Sequence, residues 1–139
     1  MSRLIETGLE RDISVLLFLE HQQIPRLVDI VQDKEGNPCI IMEKCKQSLE
    51  DIIEDYKKRA ERIPEEQVIR IFKQICIVLE YVHSQGIVHR DLNPRNILHK
   101  IENDNEVFLI TDFGLALKPS INYSITASSM KTPFYASIE

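Results

Sequence analysis

Apolar residues recur at helical spacing from Leu9 through Ile13, Leu16, Leu17 and Leu19, just after Thr7-x-x-Glu10, a hydroxyl and carboxylate pair that caps a helix start. This predicts a helix reaching about Glu20. The pattern then shortens. Leu27, Val28, Ile30 and Val31 are followed by the turn-forming string Asp33-Lys34-Glu35-Gly36-Asn37 and then by Cys39, Ile40, Ile41 and Met42, which predicts an antiparallel hairpin. A second helix is expected over 48–62. The strongest helical signal starts at Pro64, a residue suited to a first turn, with Glu65 and Glu66 at the positive end of the helix dipole. Val68, Ile71, Phe72, Ile75, Leu79 and Val82 make its expected buried stripe, and Gly86 stops it.

Beyond that helix the apolar runs are brief: Ile87-Val88, Ile97-Leu98, and a strand over 107–110 behind the polar stretch Glu102 to Glu106. From Pro119 to Thr132 serines and threonines dominate and few residues can build a core, so a mobile surface segment is expected there. Helices mixed with short, locally paired strands make the fold class α+β.

Composition narrows the function classes. At 139 residues the chain suits one domain or part of one, and 43% hydrophobic with 28% charged residues is ordinary for a globular protein. No apolar run is long enough for a membrane span, and the N-terminus lacks the zones of a secretory signal, so a cytoplasmic or nuclear setting is expected. A net charge of −5 argues against nucleic acid or an anionic membrane as the main partner. The basic cluster Lys57, Lys58, Arg59 and Arg62 is interleaved with Glu54, Asp55, Glu61, Glu65 and Glu66, the mark of a solvated mixed-charge surface. Cys39, Cys45 and Cys76 form no CxxC pair, which fits reduced thiols without a disulfide framework or metal site.

Three short strings carry chemistry together. His89-Arg90-Asp91, Asn96 five residues after the aspartate, and Asp112-Phe113-Gly114 stand in order, after a long amphipathic helix and around a region of short strands. In this arrangement the chain resembles the catalytic core of the eukaryotic protein kinases. The resemblance implies a two-lobed kinase-like fold, present in part: 1–42 as a remnant of the smaller lobe, 43–47 as the hinge, and 48–139 as the larger lobe through the activation segment. The glycine-rich loop and strand lysine of the family, and the last helices of its larger lobe, have no counterpart here, so a partial domain is expected.

The same resemblance assigns roles. Asp91 would hold the acceptor hydroxyl, while Asn96 and Asp112 would supply oxygen ligands to Mg2+ on the phosphates of ATP. Met42 would guard the back of the adenine pocket, Glu43 and Cys45 would offer backbone groups to the base, and Leu98 would pack beneath it. Leu16, Leu27, His89 and Phe113 match the family's hydrophobic stack. Thr132-Pro133 in KTPFYASIE favours serine or threonine in a protein as substrate, and Arg90 implies control by an upstream kinase phosphorylating the loop, with Ser124, Thr126, Ser128 and Ser129 as candidate acceptors. The strings around Pro64 and Phe72, with Ser137, look most like the NIMA-related kinases.

Several positions depart from the family. Asp12 stands for the glutamate of the regulatory helix and reaches one methylene less far; Asn93 stands for a lysine that touches the γ-phosphate, keeping a hydrogen-bond donor but no charge; Ile138 stands for a proline. Set against the kinase reading are a pseudokinase, an interaction module without transfer activity, and a small-molecule phosphotransferase; Phe113-Gly114 and Thr132-Pro133-x-Tyr135 speak against the last.

Overall fold

The computed structural model describes residues 8–116. Thr7 of the expected capping box and the whole segment from Pro119 onward, with its candidate phosphorylation sites, Ile138 and Thr132-Pro133, lie outside the described residues.

Helix α1 runs Gly8–Phe18, two residues shorter than expected, and the bond from Leu19 N to Val15 O (2.9 Å) closes its last turn. Strands β1 (Leu27–Gln32) and β2 (Pro38–Met42) form the expected antiparallel hairpin, with a bulge between Leu27 and Asp29. Its tip is organised by Asp33, whose Oδ1 accepts from Glu35 N and Asn37 N (2.8 and 2.9 Å), and by Gly36 at φ +86°, where only a residue without a Cβ sits unstrained.

After the two-residue strand β3 (Gln47–Ser48), Ser48 caps α2 (Leu49–Lys58) in a reciprocal pairing with Asp51. This helix ends four residues earlier than expected because Ala60 takes φ 54°, which no helix continues. Helix α3 (Glu65–Ser84) starts after Pro64 and ends before Gly86 at φ +71°, as the sequence predicts. Its buried face is Ile71, Ile75, Val78 and Val82, packed against β5 (Asn105–Ile110). Val68 and Phe72, expected in that stripe, are instead exposed at 47% and 68%.

Strand β4 (Ile97–Glu102) is longer than Ile97-Leu98 alone and turns into β5 through Asn103 and Asp104, both at positive φ. Two consecutive left-handed residues give a tight hairpin whose twist matches its strands. Among the described residues the strands form two sheets, ordered β1-β2 and β3-β4-β5.

A polar stitch joins these parts. Gln23, 4% exposed in the link from α1 to β1, donates to Phe108 O (3.1 Å) and Gln74 O (3.2 Å), and its own carbonyl accepts from Ile110 N (2.9 Å). Tyr81 Oη on α3 accepts from Glu20 N (2.9 Å), and His21 stacks on the Tyr81 ring at 4.9 Å. A buried amide nitrogen bonded to two other elements favours one arrangement, so the link after α1 is tied to α3 and β5.

Candidate active site

Residues 88–96 form a loop pinned at both ends. His89 is 2% exposed; its Nε2 lies 2.9 Å from Thr111 O and its Nδ1 accepts from Asp91 N (3.2 Å). Those partners fix the neutral tautomer with the proton on Nε2, and burial pushes the ring's pKa down in the same sense, against the pull of the Thr111 carbonyl and of Asp112 and Asp91. The ring leans on Phe113, fully buried, with centroids 4.8 Å apart. Leu16 belongs to the same buried core, and Leu27 packs against it half-buried.

Asp91 is gripped by two amides. Asn96 Nδ2 donates to Asp91 O (2.8 Å) and Oδ2 (3.2 Å), while Asn93 Nδ2 donates to Asp91 O (2.9 Å) and Oδ1 (3.3 Å). Both side chains are buried, at 9% and 6% exposure. Asn93 Oδ1 in turn accepts from Arg95 N (3.0 Å), capping the short 3-10 turn Pro94–Asn96 that aims Asn96 back at the aspartate. Both polar atoms of the Asn93 side chain, expected from the sequence to keep one contact to phosphate, are hydrogen-bonded within the loop. Among the described residues Asn96 Oδ1 accepts no hydrogen bond, and it remains as an oxygen ligand of the kind magnesium takes.

Asp112-Phe113-Gly114 is latched to the start of α1. Phe113 N donates to Asp12 Oδ1 (2.7 Å), Arg11 Nη1 donates to Gly114 O (3.0 Å), and a Cβ on Gly114 would stand 3.1 Å from Gly8 O and 3.2 Å from Asp112 Oδ1. Asp12, aligned with the family's lysine-pairing glutamate, thus spends an oxygen on a backbone amide. Burial raises its pKa, an effect that the Phe113 bond opposes and the Asp112 charge reinforces. Arg90 Nε donates to Leu115 O (2.6 Å), so Arg11 and Arg90 hold successive carbonyls; burial first, then the neighbouring Arg11, lowers the Arg90 pKa from its usual range.

Arg90 and Asp112 both adopt left-handed backbone, at φ 65° and 63°, strain of the kind that collects at functional sites. The latch and the loop face one cleft of about 420 Å³ lined by Asp12, Asp91 and Asp112, with Gly8, Arg11 and Gly114. The side-chain oxygens of Asn96 and Asp112 are of the kind a hard divalent cation takes beside phosphate or water ligands; no cluster of three or more His, Cys, Asp or Glu fit to bind a metal unaided occurs among the described residues.

The residues expected around adenine lie apart from that cleft in their contacts. Met42 ends β2, half-buried, with its Sδ accepting from Thr111 Oγ1 (3.8 Å). Leu98 pairs with Ser48 and Leu109 in the second sheet. Cys45 is half-buried, its thiol 4.0 Å from Glu43 O. Glu43 turns its carboxylate into a separate groove of about 680 Å³ shared with Lys100, Arg26 and Leu16. Arg11, the Gln23 stitch and Lys100 were missed in the sequence, where a lone arginine, glutamine or lysine carries no signal of its partner.

A family model described as a protein kinase domain matches residues 2–139. The serine/threonine-protein kinase TIO of Arabidopsis thaliana is 35% identical over 132 residues, 95% of this chain and 9% of that protein. Calcium-dependent protein kinase 5 of Plasmodium berghei is 31% identical, over 94% of this chain and 22% of its own length. The calcium/calmodulin-dependent protein kinase type 1 of Macrobrachium nipponense is 31% identical, over 96% and 37% respectively. The chain therefore spans well under half the length of these relatives.

Proposed function

The chain belongs to the protein kinase family, and from that membership we propose that it transfers the γ-phosphate of ATP to a serine or threonine hydroxyl of a protein, as the part of a kinase domain running from the regulatory helix through the activation segment. The observation that carries this reading is the Asp91 carboxylate, held on both oxygens by the amides of Asn93 and Asn96 beside the Asp112 cleft. A carboxylate so fixed can receive a hydroxyl hydrogen and hold the oxygen in line with phosphorus without reorganising during reaction. As that oxygen bonds to phosphorus, the bond to the β-phosphate oxygen breaks, ADP departs and the hydroxyl proton passes to Asp91. Asn96 and Asp112 would hold magnesium, which when bound neutralises charge on the phosphates. Residues 43–47 would serve as the hinge, with Met42, Glu43, Cys45 and Leu98 around adenine. A loop phosphate supplied by an upstream kinase would take Arg90 as its counter-cation. A cytoplasmic or nuclear setting suits this substrate class.

One observation favours a second reading, nucleotide or partner binding without transfer: Asp12, aligned with the family's lysine-pairing glutamate, is bonded to Phe113 N. The two readings separate in one assay. The polypeptide is incubated with Mg-ATP and a generic serine/threonine substrate, and bound nucleotide and phosphate transfer are both measured. Magnesium-dependent binding with transfer to serine or threonine supports the first reading, nucleotide binding without transfer supports the second, and no nucleotide binding removes the first and leaves the second as partner binding alone.

A further inference from the structure

Glu43 is the first residue after β2, where the chain leaves one sheet for the other. Its backbone N donates to Arg26 O (3.0 Å), and its Oε1 accepts from Arg26 N (3.0 Å), so both ends of the residue are tied to the entry of β1. Its Oε2 accepts from Lys100 Nζ at 2.8 Å. Lys100 sits on β4, in the other sheet, 57 positions along the chain, and among the described residues no strand of one sheet pairs with a strand of the other. The pair is shielded, with the side chains 15% and 23% exposed, and Glu102 Oε2 at 3.6 Å adds a second anion to the ammonium. Ion pairs in such a place are less screened by salt than those in open water. The bond to Glu43 raises the Lys100 pKa; burial pushes that of Glu43 up, but the bonds from Lys100 and Arg26 more than offset it, so both stay charged across the neutral range.

Strand alternation puts Lys100 on the same face of β4 as Leu98, two residues earlier. At the far end of the crossing Lys46 N donates to His99 O (2.8 Å), the backbone partner of Gln47. The stretch Glu43 to Lys46 is therefore anchored by backbone bonds at its ends and by one side-chain tie between the sheets.

We propose that Lys100 is a positioning residue for nucleotide binding, which through Glu43 locks the crossing between the sheets so that its backbone groups face adenine already ordered. This rests on the reading of Glu43 and Cys45 as the adenine contacts. A ligand that meets a preordered segment loses less freedom on binding, so cutting the tie weakens the adenine end of the site and leaves the phosphate end alone.

The test uses the full chain, a fluorescent ATP analogue with Mg2+, and magnesium tripolyphosphate, which lacks the base, as competitor. Lys100→Met and Lys100→Gln are expected to weaken the analogue about fivefold, the scale of one partly shielded ion pair, with tripolyphosphate competition unchanged; Lys100→Arg, which keeps charge and donors, is expected to bind as wild type does. Far-UV circular dichroism identifies any variant that fails to fold, and two neutral variants guard against losing one. Unchanged analogue affinity in folded Lys100→Met or Lys100→Gln overturns the proposal, as does equal weakening of tripolyphosphate. Wild type that binds no nucleotide overturns the adenine reading beneath it, a result distinct from the other two.

Discussion

Asn93 and Asp12 occupy positions where the family uses other residues, and each has a definite local task. Asn93 caps the 3-10 turn and donates to Asp91 from a buried position. A lysine there cannot accept from Arg95 N and would carry its charge into the space the amide fills. Asn93→Lys is therefore expected to lower stability by about 1–2 kcal/mol, the cost of a lost cap and bond, with no gain in phosphate transfer; urea titration and a transfer assay check the two halves. Asp12 has a pKa raised chiefly by burial. Between the ordinary aspartate value, about 3.9, and that raised value, the folded chain keeps a proton the unfolded chain has released, so stability falls as pH rises through the window and stays lower above it. An asparagine oxygen accepts the same bond from Phe113 N and never ionises. Asp12→Asn should melt above wild type at pH 7, with the difference closing as pH falls toward 4.

At the scale of elements, the contact of α1 with Asp112-Phe113-Gly114 depends on close backbone approach. A Cβ at position 114 would meet Gly8 O at 3.1 Å and Asp112 Oδ1 at 3.2 Å, so Gly114→Ala is expected to shift the start of α1 by a few tenths of an ångström and to loosen the Asp12 to Phe113 and Arg11 to Gly114 bonds. A loss of about 1–3 kcal/mol is expected from such overpacking, with faster amide exchange at Phe113 than in wild type. Such details were beyond the sequence, whereas α3 was legible because Pro64 and Gly86 act through their own backbones. Where a boundary depends on a conformation rather than a residue type, as at Ala60, the extended helix expectation overshot. Asn103-Asp104 did carry a turn signal, two residues tolerant of positive φ between apolar runs, but the polar stretch Glu102 to Glu106 obscured it. Periodicity also placed Val68 and Phe72 in the buried stripe of α3, since it marks an apolar face without saying what covers it; Val78, one position from the expected Leu79, takes the fully buried place. The order of His89, Asp91, Asn96 and Asp112 was readable as a site, but the amide grip and the latch arise from residues whose side chains have many uses.

At the scale of the molecule, the described helices and strands share one core that includes the buried Phe108, Phe113 and Val78, while apolar surface remains outside. Phe72 borders a groove of about 380 Å³ lined by Leu49, Ile53, Ile63, Val68 and Leu92, and exposed apolar patches of this kind favour self-association. Phe72→Glu is expected to reduce light scattering at high concentration without shifting the melting temperature by more than a degree or so, since a side chain 68% exposed supports little of the core. The role of Asp91 is tested by the rate of γ-phosphate transfer from Mg-ATP to a serine/threonine substrate by wild type and by Asp91→Asn, which keeps size and shape but cannot take the proton. Wild type is expected to transfer phosphate and Asp91→Asn to lose at least about a hundredfold in rate with nucleotide affinity retained; equal rates in the two proteins would rule out Asp91 as the base.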